Sequence, residues 1–370
     1  MMIVRHEDRV KGCVALAALV LALATGFACA PAPVAERAAE TVYPGAAWER
    51  VTDPAAAGFS GEALDAIHPY VEGINTSAVM AVVGGRVLFE HGPVDSLSYL
   101  ASVRKSILAM LYGNYVEDGT IDLGRTLEDL GMDDVQGLLP VEKRARVLDL
   151  VTARSGVYHP ASNAGDNLAD APPRGSQEPG TYYLYSNWDF NAAGAAFEQL
   201  TGRNIYDALE TDLAVPLGLE DWDRSIHRKS GDDTRSRNLA YHMVLSTRDM
   251  ARIGHLMLQS GMWEDARILP DGWAERITSV VTPSEEMNPE GLRGGEFGYG
   301  YMWWVWDGPA VPEGFEGAYS GRGAYGQFIT VIPSVGMVVA HKTVPDAQTP
   351  WSDYMGILTR LVAAHCGADC

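Results

Sequence analysis

The sequence predicts an α/β fold in which an antiparallel sheet, built from both ends of the chain and flanked by helices, carries an inserted, mainly helical domain. Three observations point to it. A β-hairpin pattern followed by a long buried helix opens the folded part. Residues from about 120 to 290 then alternate short amphipathic helical patterns with Pro- and Gly-rich loops. Strand patterns return only near the C-terminus, ahead of a last helix.

Residues 77–83 and 86–90 are β-rich runs joined by Gly84-Gly85, the pattern of a hairpin with a two-residue turn. From Ser102 to Val116 the period changes: Ile107, Leu108, Leu111 and Tyr112 fall at helical spacing, and Gly119 marks the end. Helical patterns follow at 147–153, 191–200, 205–213 and 247–260. Strands are expected at 299–306, 325–331 and 335–341, and a closing helix at about 351–365. The domain is thus expected over 46–370, with its α/β part at about 46–118 and 292–370 and its helical part at about 119–291. A cleft between the two parts is the expected place for a ligand.

Ahead of the domain, Arg5, Arg9 and Lys11 lead into an apolar stretch at 14–24, too short for a spanning helix and consistent with an export signal over 1–28. Two processing sites compete. Ala28-Cys29-Ala30 fits a small-x-small rule but puts Pro31 just after the cut. Gly26-Phe27-Ala28-Cys29 resembles a bacterial lipobox with an unusual Phe and is preferred. Cys29 would then carry lipid, the Ala- and Pro-rich residues 29–45 would be a tether, and the protein would be a membrane-anchored periplasmic lipoprotein. Cys366 and Cys370 would remain in an oxidising compartment, free to pair as an end clip.

With 48 acidic against 28 basic side chains the formal charge is −20, and no basic stripe is present to hold phosphates, which argues against a nucleic-acid partner. No H-E-x-x-H, paired-cysteine or other ligand spacing appears, so neither a metal nor another cofactor is expected.

The chemistry is expected at Ser102-Val103-Arg104-Lys105. At a helix start, side chains three apart share a face, so the Lys105 amine can reach the Ser102 hydroxyl and make it a nucleophile. None of the other four lysines has a serine three residues before it. Tyr185-Ser186-Asn187 supplies the second element. A tyrosine beside a lysine ammonium can be held partly as phenolate and shuttle a proton, while Asn187 would bind the substrate carbonyl and steady the lysine. A rival Tyr112-Gly113-Asn114 falls inside the helix begun by Ser102, about 15 Å along its axis, and Tyr112 is read as core.

Taken in order, Ser102-x-x-Lys105, Leu150-Val151-Thr152-Ala153-Arg154-Ser155-Gly156, Tyr185-Ser186-Asn187 and Leu200-Thr201-Gly202 resemble the class C β-lactamases and their relatives, which include esterases, DD-peptidases and 6-aminohexanoate-dimer hydrolases. The likeness covers most of residues 50–360. Its nearest branch is the dimer hydrolases, on Tyr241-His242-Met243-Val244-Leu245-Ser246-Thr247-Arg248-Asp249-Met250 and on Gly323-Ala324-Tyr325-Gly326-Gln327. The resemblance implies a β-lactamase/transpeptidase-like fold and an acyl-enzyme on Ser102.

The family's third motif, Lys-Thr-Gly, is replaced by Gly321-Arg322-Gly323. By the resemblance, the Ala324 N–H beside Gly323, with that of Ser102, would form an oxyanion hole. Lys342-Thr343 is rejected as the missing motif, because Val344 follows and only a helix remains after it. Loss of the motif lysine argues against β-lactams and D-alanyl-D-alanine termini. Arg322 is a substitute cation, but a rigid guanidinium is not interchangeable with an ammonium.

His242 is either a cleft residue or a structural histidine. Asp189 either meets a cationic substrate group, as the dimer-hydrolase analogy suggests, or caps a helix. Trp303, Trp304 and Trp306 are read as a packed strand. The function expected is therefore hydrolysis of a small ester or amide substrate by Ser102, Lys105 and Tyr185. The alternatives are a cell-wall DD-peptidase or β-lactamase, and a catalytically silent, lipid-anchored binding protein. Substrate choice is expected in the loops 158–176 and 283–296.

Overall fold

The Gly84-Gly85 turn reverses the chain with both glycines at positive φ, +56° and +77°, a conformation that glycine adopts without steric cost. It thereby pairs β1 (Thr76–Val83) with β2 (Arg86–His91). The computed structural model describes residues 41–367 and Cys370. The leader over 1–28, the Cys29 anchor and residues 30–40 of the tether lie outside the described residues. Five strands from the far end of the chain complete the sheet: β3 (Phe297–Tyr299), β4 (Trp304–Trp306), β5 (Tyr319–Gly323), β6 (Gln327–Ile332) and β7 (Met337–Thr343). Their order is β2-β1-β7-β6-β5-β4-β3, and every neighbouring pair is antiparallel.

Six helices accompany the sheet: α1 (Gly61–Asp65), α2 (Ile67–Glu72), α3 (Val103–Glu117), α4 (Asn187–Thr201), α5 (Thr247–Leu258) and α6 (Trp351–Ala363). Because successive strand residues point to opposite faces, β1 sends Val79 and Ala81 into a core shared with α1, α2 and α6. It sends Met80 and Val82 into the larger core under α3 and α5. β7 alternates in the same way, with Met337 and Val339 against Val338 and Ala340. Burial on both faces explains why these strands read as continuous apolar runs. In α6, Tyr354, Ile357, Leu358 and Leu361 recur at helical spacing and are fully buried. In α5, Gly254 lets the helix lie on the sheet: a Cβ there would come within 2.4 Å of Val338 Cγ1.

Residues between α3 and β3 form the mainly helical region. Asp134 ties it together by accepting bonds from Trp188 Nε1 (2.6 Å), Ser236 Oγ (2.6 Å) and the Arg237 backbone N–H (2.7 Å). Among the described residues no helix is long and apolar enough to cross a membrane.

The structure departs from expectation in several places. Residues 299–306 are not one strand: residues 300–303 turn the chain between β3 and β4, where Met302 takes a positive φ of +59° and Gly300 packs where a Cβ would meet Ile277 O at 2.5 Å. β5 is a strand that propensity does not announce. α1 and α2 were not foreseen. Cys366 and Cys370 are joined by a disulfide, with Cα atoms 5.3 Å apart.

Candidate active site

Ser102 stands at the N-terminus of α3, where the chain arrives from a short strand, Ser98–Tyr99, paired with Val244–Leu245. Ala101, just before it, is held at φ +48°. A side-chain-bearing residue there costs of order 1–3 kcal/mol and persists only where its surroundings fix it. Leu100 N–H donates to Met243 O, and Val103 N–H to Leu100 O. The serine is thereby presented on a rigid corner. It lines a cleft of about 350 Å³ together with Asp166, Tyr185, Trp304, Arg322, Gly323, Ala324, Tyr325 and Trp351.

Lys105, one turn into α3, is 1% exposed. Its Nζ lies 2.7 Å from the Tyr185 hydroxyl and 2.6 Å from Asn187 Oδ1. The ammonium position is packed between the rings of Tyr185 and Phe190, at 4.1 and 4.2 Å from their centroids. Burial, and after it the neighbouring Arg104 guanidinium, hold Lys105 well below the ordinary lysine range, against the pull of Asp166 and Asp189. Burial pushes the Tyr185 phenol up to about 12, although the neighbouring Ser102 hydroxyl, Arg104 and Arg322 lower it. The pair therefore favours a free amine beside a neutral phenol. Burial penalises the charged form of both partners and so works against the partial phenolate expected at Tyr185.

Asn187 is buried. Its Oδ1 accepts from Lys105 and its Nδ2 donates to Ala164 O (2.8 Å), so it steadies the lysine and does not line the cleft. Asp189 is also placed away from the cleft. It sits in the first turn of α4, 1% exposed, and accepts from Ser155 Oγ at 2.6 Å. Burial pushes its carboxyl well above the usual range. It does not line the cleft, and it makes no capping bond to α4. His242 likewise does not line the cleft: its Nδ1 is 3.0 Å from Tyr99 Oη, and burial pushes its pKa down. Lys342 lies inside the sheet on β7, donating to Ser98 O at 2.8 Å.

β5 carries Arg322 and Gly323 past the N-terminus of α3. A Cβ on Gly323 would sit 2.6 Å from Leu100 O and 3.1 Å from Ser102 N, so only glycine allows the strand so close to the serine. Ala324 follows at the exposed rim. Arg322 is caged by Phe297, Trp304 and Trp351, with ring centroids 4.4, 4.8 and 4.1 Å from its guanidinium carbon. Burial lowers its pKa to about 10. Of the three tryptophans read as a packed strand, Trp303 and Trp306 are core and Trp304 is a cleft wall. The sequence reading missed Asp166 and Trp351. Asp166 Oδ2 accepts from the Asn187 backbone N–H at 3.1 Å.

Gly323→Val is expected to lower kcat/KM for an ester by roughly 10²-fold in a folded protein, since displacing a reacting group by about 1 Å costs that much. Ester hydrolysis by the variant, with circular dichroism as the control for folding, checks it.

The family model described as Beta-lactamase matches residues 64–346. The chain belongs to the beta-lactamase family. With it comes membership of the serine hydrolases that act on amide or ester bonds. A 6-aminohexanoate-dimer hydrolase of Paenarthrobacter ureafaciens is 24% identical over 302 residues, 74% of each chain. A Bacillus anthracis structure provisionally assigned as a 6-aminohexanoate-dimer hydrolase superposes with a TM-score of 0.61, at 18% identity over 80% of each chain. A penicillin-binding protein homologue of Caulobacter crescentus does so with a TM-score of 0.58, at 14% identity over 82% of this chain and 97% of its own. At such identities the structural likenesses show the β-lactamase-like fold.

Proposed function

We propose that this beta-lactamase family member hydrolyses a small ester or linear amide through an acyl-enzyme on Ser102. One observation carries the proposal: the Lys105 amine is 2.7 Å from the Tyr185 hydroxyl, buried directly behind a cleft that Ser102 and Tyr185 both line. Ser102 Oγ attacks the carbonyl carbon while its proton passes to the free amine of Lys105. The N–H groups of Ser102 and Ala324 take the oxyanion, each donor worth roughly 3–4 kcal/mol. Tyr185 protonates the leaving group and regains its proton from Lys105. Water then releases the acyl group by the reverse proton path.

The caged Arg322 in place of a motif lysine, and the likeness to a dimer hydrolase, favour an ester or linear amide over a β-lactam. A panel of p-nitrophenyl esters, short linear amides and one cephalosporin tests this choice. Turnover of the first two groups is the expected result. Hydrolysis of the cephalosporin alone would overturn it.

A further inference from the structure

Arg104 stands between the serine and the lysine in sequence, and its side chain is as buried as that of Lys105, each 1% exposed. A guanidinium keeps its charge in any protein environment, so when buried it is ordinarily paired with a carboxylate. Among the described residues none lies within ion-pair distance of Arg104. It is held by uncharged groups: Nη2 donates to Asn191 Oδ1 at 3.2 Å, and its guanidinium carbon lies 4.4 Å from the centroid of the Tyr241 ring.

The charged and titratable groups facing the Arg104–Lys105 pair come from every element around it. They are Tyr185 and Asp166 from the loop before α4, Asp189 from α4, Tyr206 from the helix Ile205–Leu209, and Tyr241 and His242 from the strand Ala240–His242. Burial raises the three phenols and the Asp189 carboxyl and lowers His242, so all five favour their neutral forms. Arg322 of β5 adds a second cation, which acts on Tyr185. Asp166 is the remaining acidic side chain, and it stands at the cleft wall and forms no ion pair with Arg104 or Lys105.

We propose that Arg104 is a positioning residue of the proton relay: a buried cation without a carboxylate partner, set beside Lys105, which makes a second positive charge there costly and so leaves Lys105 a free-amine base. The inference rests on the serine-hydrolase reading of Ser102. It explains why a lysine three residues after the nucleophile is flanked by an arginine that neither reaches the cleft nor forms an ion pair.

The test is the pH dependence of two rates, ester kcat/KM and fluorophosphonate labelling of Ser102, in wild type, Arg104→Met and Asn191→Asp. Arg104→Met removes the cation. Asn191→Asp places a carboxylate where Nη2 now bonds an amide, and it keeps the question open to test where Arg104→Met fails to fold. In both variants Lys105 holds its proton to higher pH, so the acid limb moves up by about one unit, with the rate recovering towards wild type above it. A purely structural role would lower the rate without moving the limb. An acid limb coincident with that of wild type in either folded variant overturns the Arg104 assignment while leaving the hydrolase reading intact. No labelling of the wild type at any pH would overturn the reading beneath it.

Discussion

Replacing Ser102 by alanine is expected to lower kcat for a p-nitrophenyl ester by about 10³- to 10⁶-fold, the scale on which removal of a catalytic serine acts. The size follows from what alanine leaves in place. The cleft, the Ala101 corner and the Lys105–Tyr185 pair all persist, because Ser102 makes no side-chain cap that holds α3. Stability and substrate binding should therefore change little while the chemical step fails. Thermal melting alongside steady-state kinetics checks both halves. A variant that melts early and loses activity in proportion would point to a structural loss.

Lys105→Met and Tyr185→Phe carry the second large effect, each lowering kcat by about 10²- to 10⁴-fold. The two groups share one proton path across 2.7 Å, so their effects should not add: the double variant is expected near the slower single one. Lys105→Arg should not rescue, because a guanidinium cannot give up its proton to become a base. In the wild type, activity should persist to pH values at which an ordinary lysine is still charged, since burial holds the Lys105 pKa well down. It should fall at acid pH as the amine is protonated. Near-additive losses in the double variant would contradict a shared relay.

Much of this was legible in the sequence wherever a local rule and the tertiary environment agree. The Gly84-Gly85 turn, α3 and the closing α6 follow from turn chemistry and helical periodicity, and the structure keeps all three with boundaries moved by one or two residues. Ser102, Lys105 and Tyr185, which the structure brings together, were singled out by S-x-x-K and Y-x-N taken in order. Gly323 was found through a motif whose lysine is missing.

The remainder depends on packing that sequence does not display. β5, rich in glycine and polar residues, is a strand because β4 and β6 supply its partners. The turn at residues 300–303 is hidden, since Tyr299 to Trp306 is a run of aromatic and apolar residues broken only by Gly300, all buried or partly buried. Asp166 is one carboxylate among 48 acidic residues, and only the folded loop brings it to the cleft. Asp189 and His242 drew attention through analogy, yet α4 turns one inward onto Ser155 and the other bonds Tyr99 outside the cleft.

The central claim is that Ser102 is the nucleophile. It is tested most directly by treating the protein with a fluorophosphonate, digesting it and locating the adduct by mass spectrometry. A single adduct on the peptide carrying Ser102, lost in Ser102→Ala, is the predicted result. An adduct on another serine, or labelling undiminished in Ser102→Ala, would contradict it.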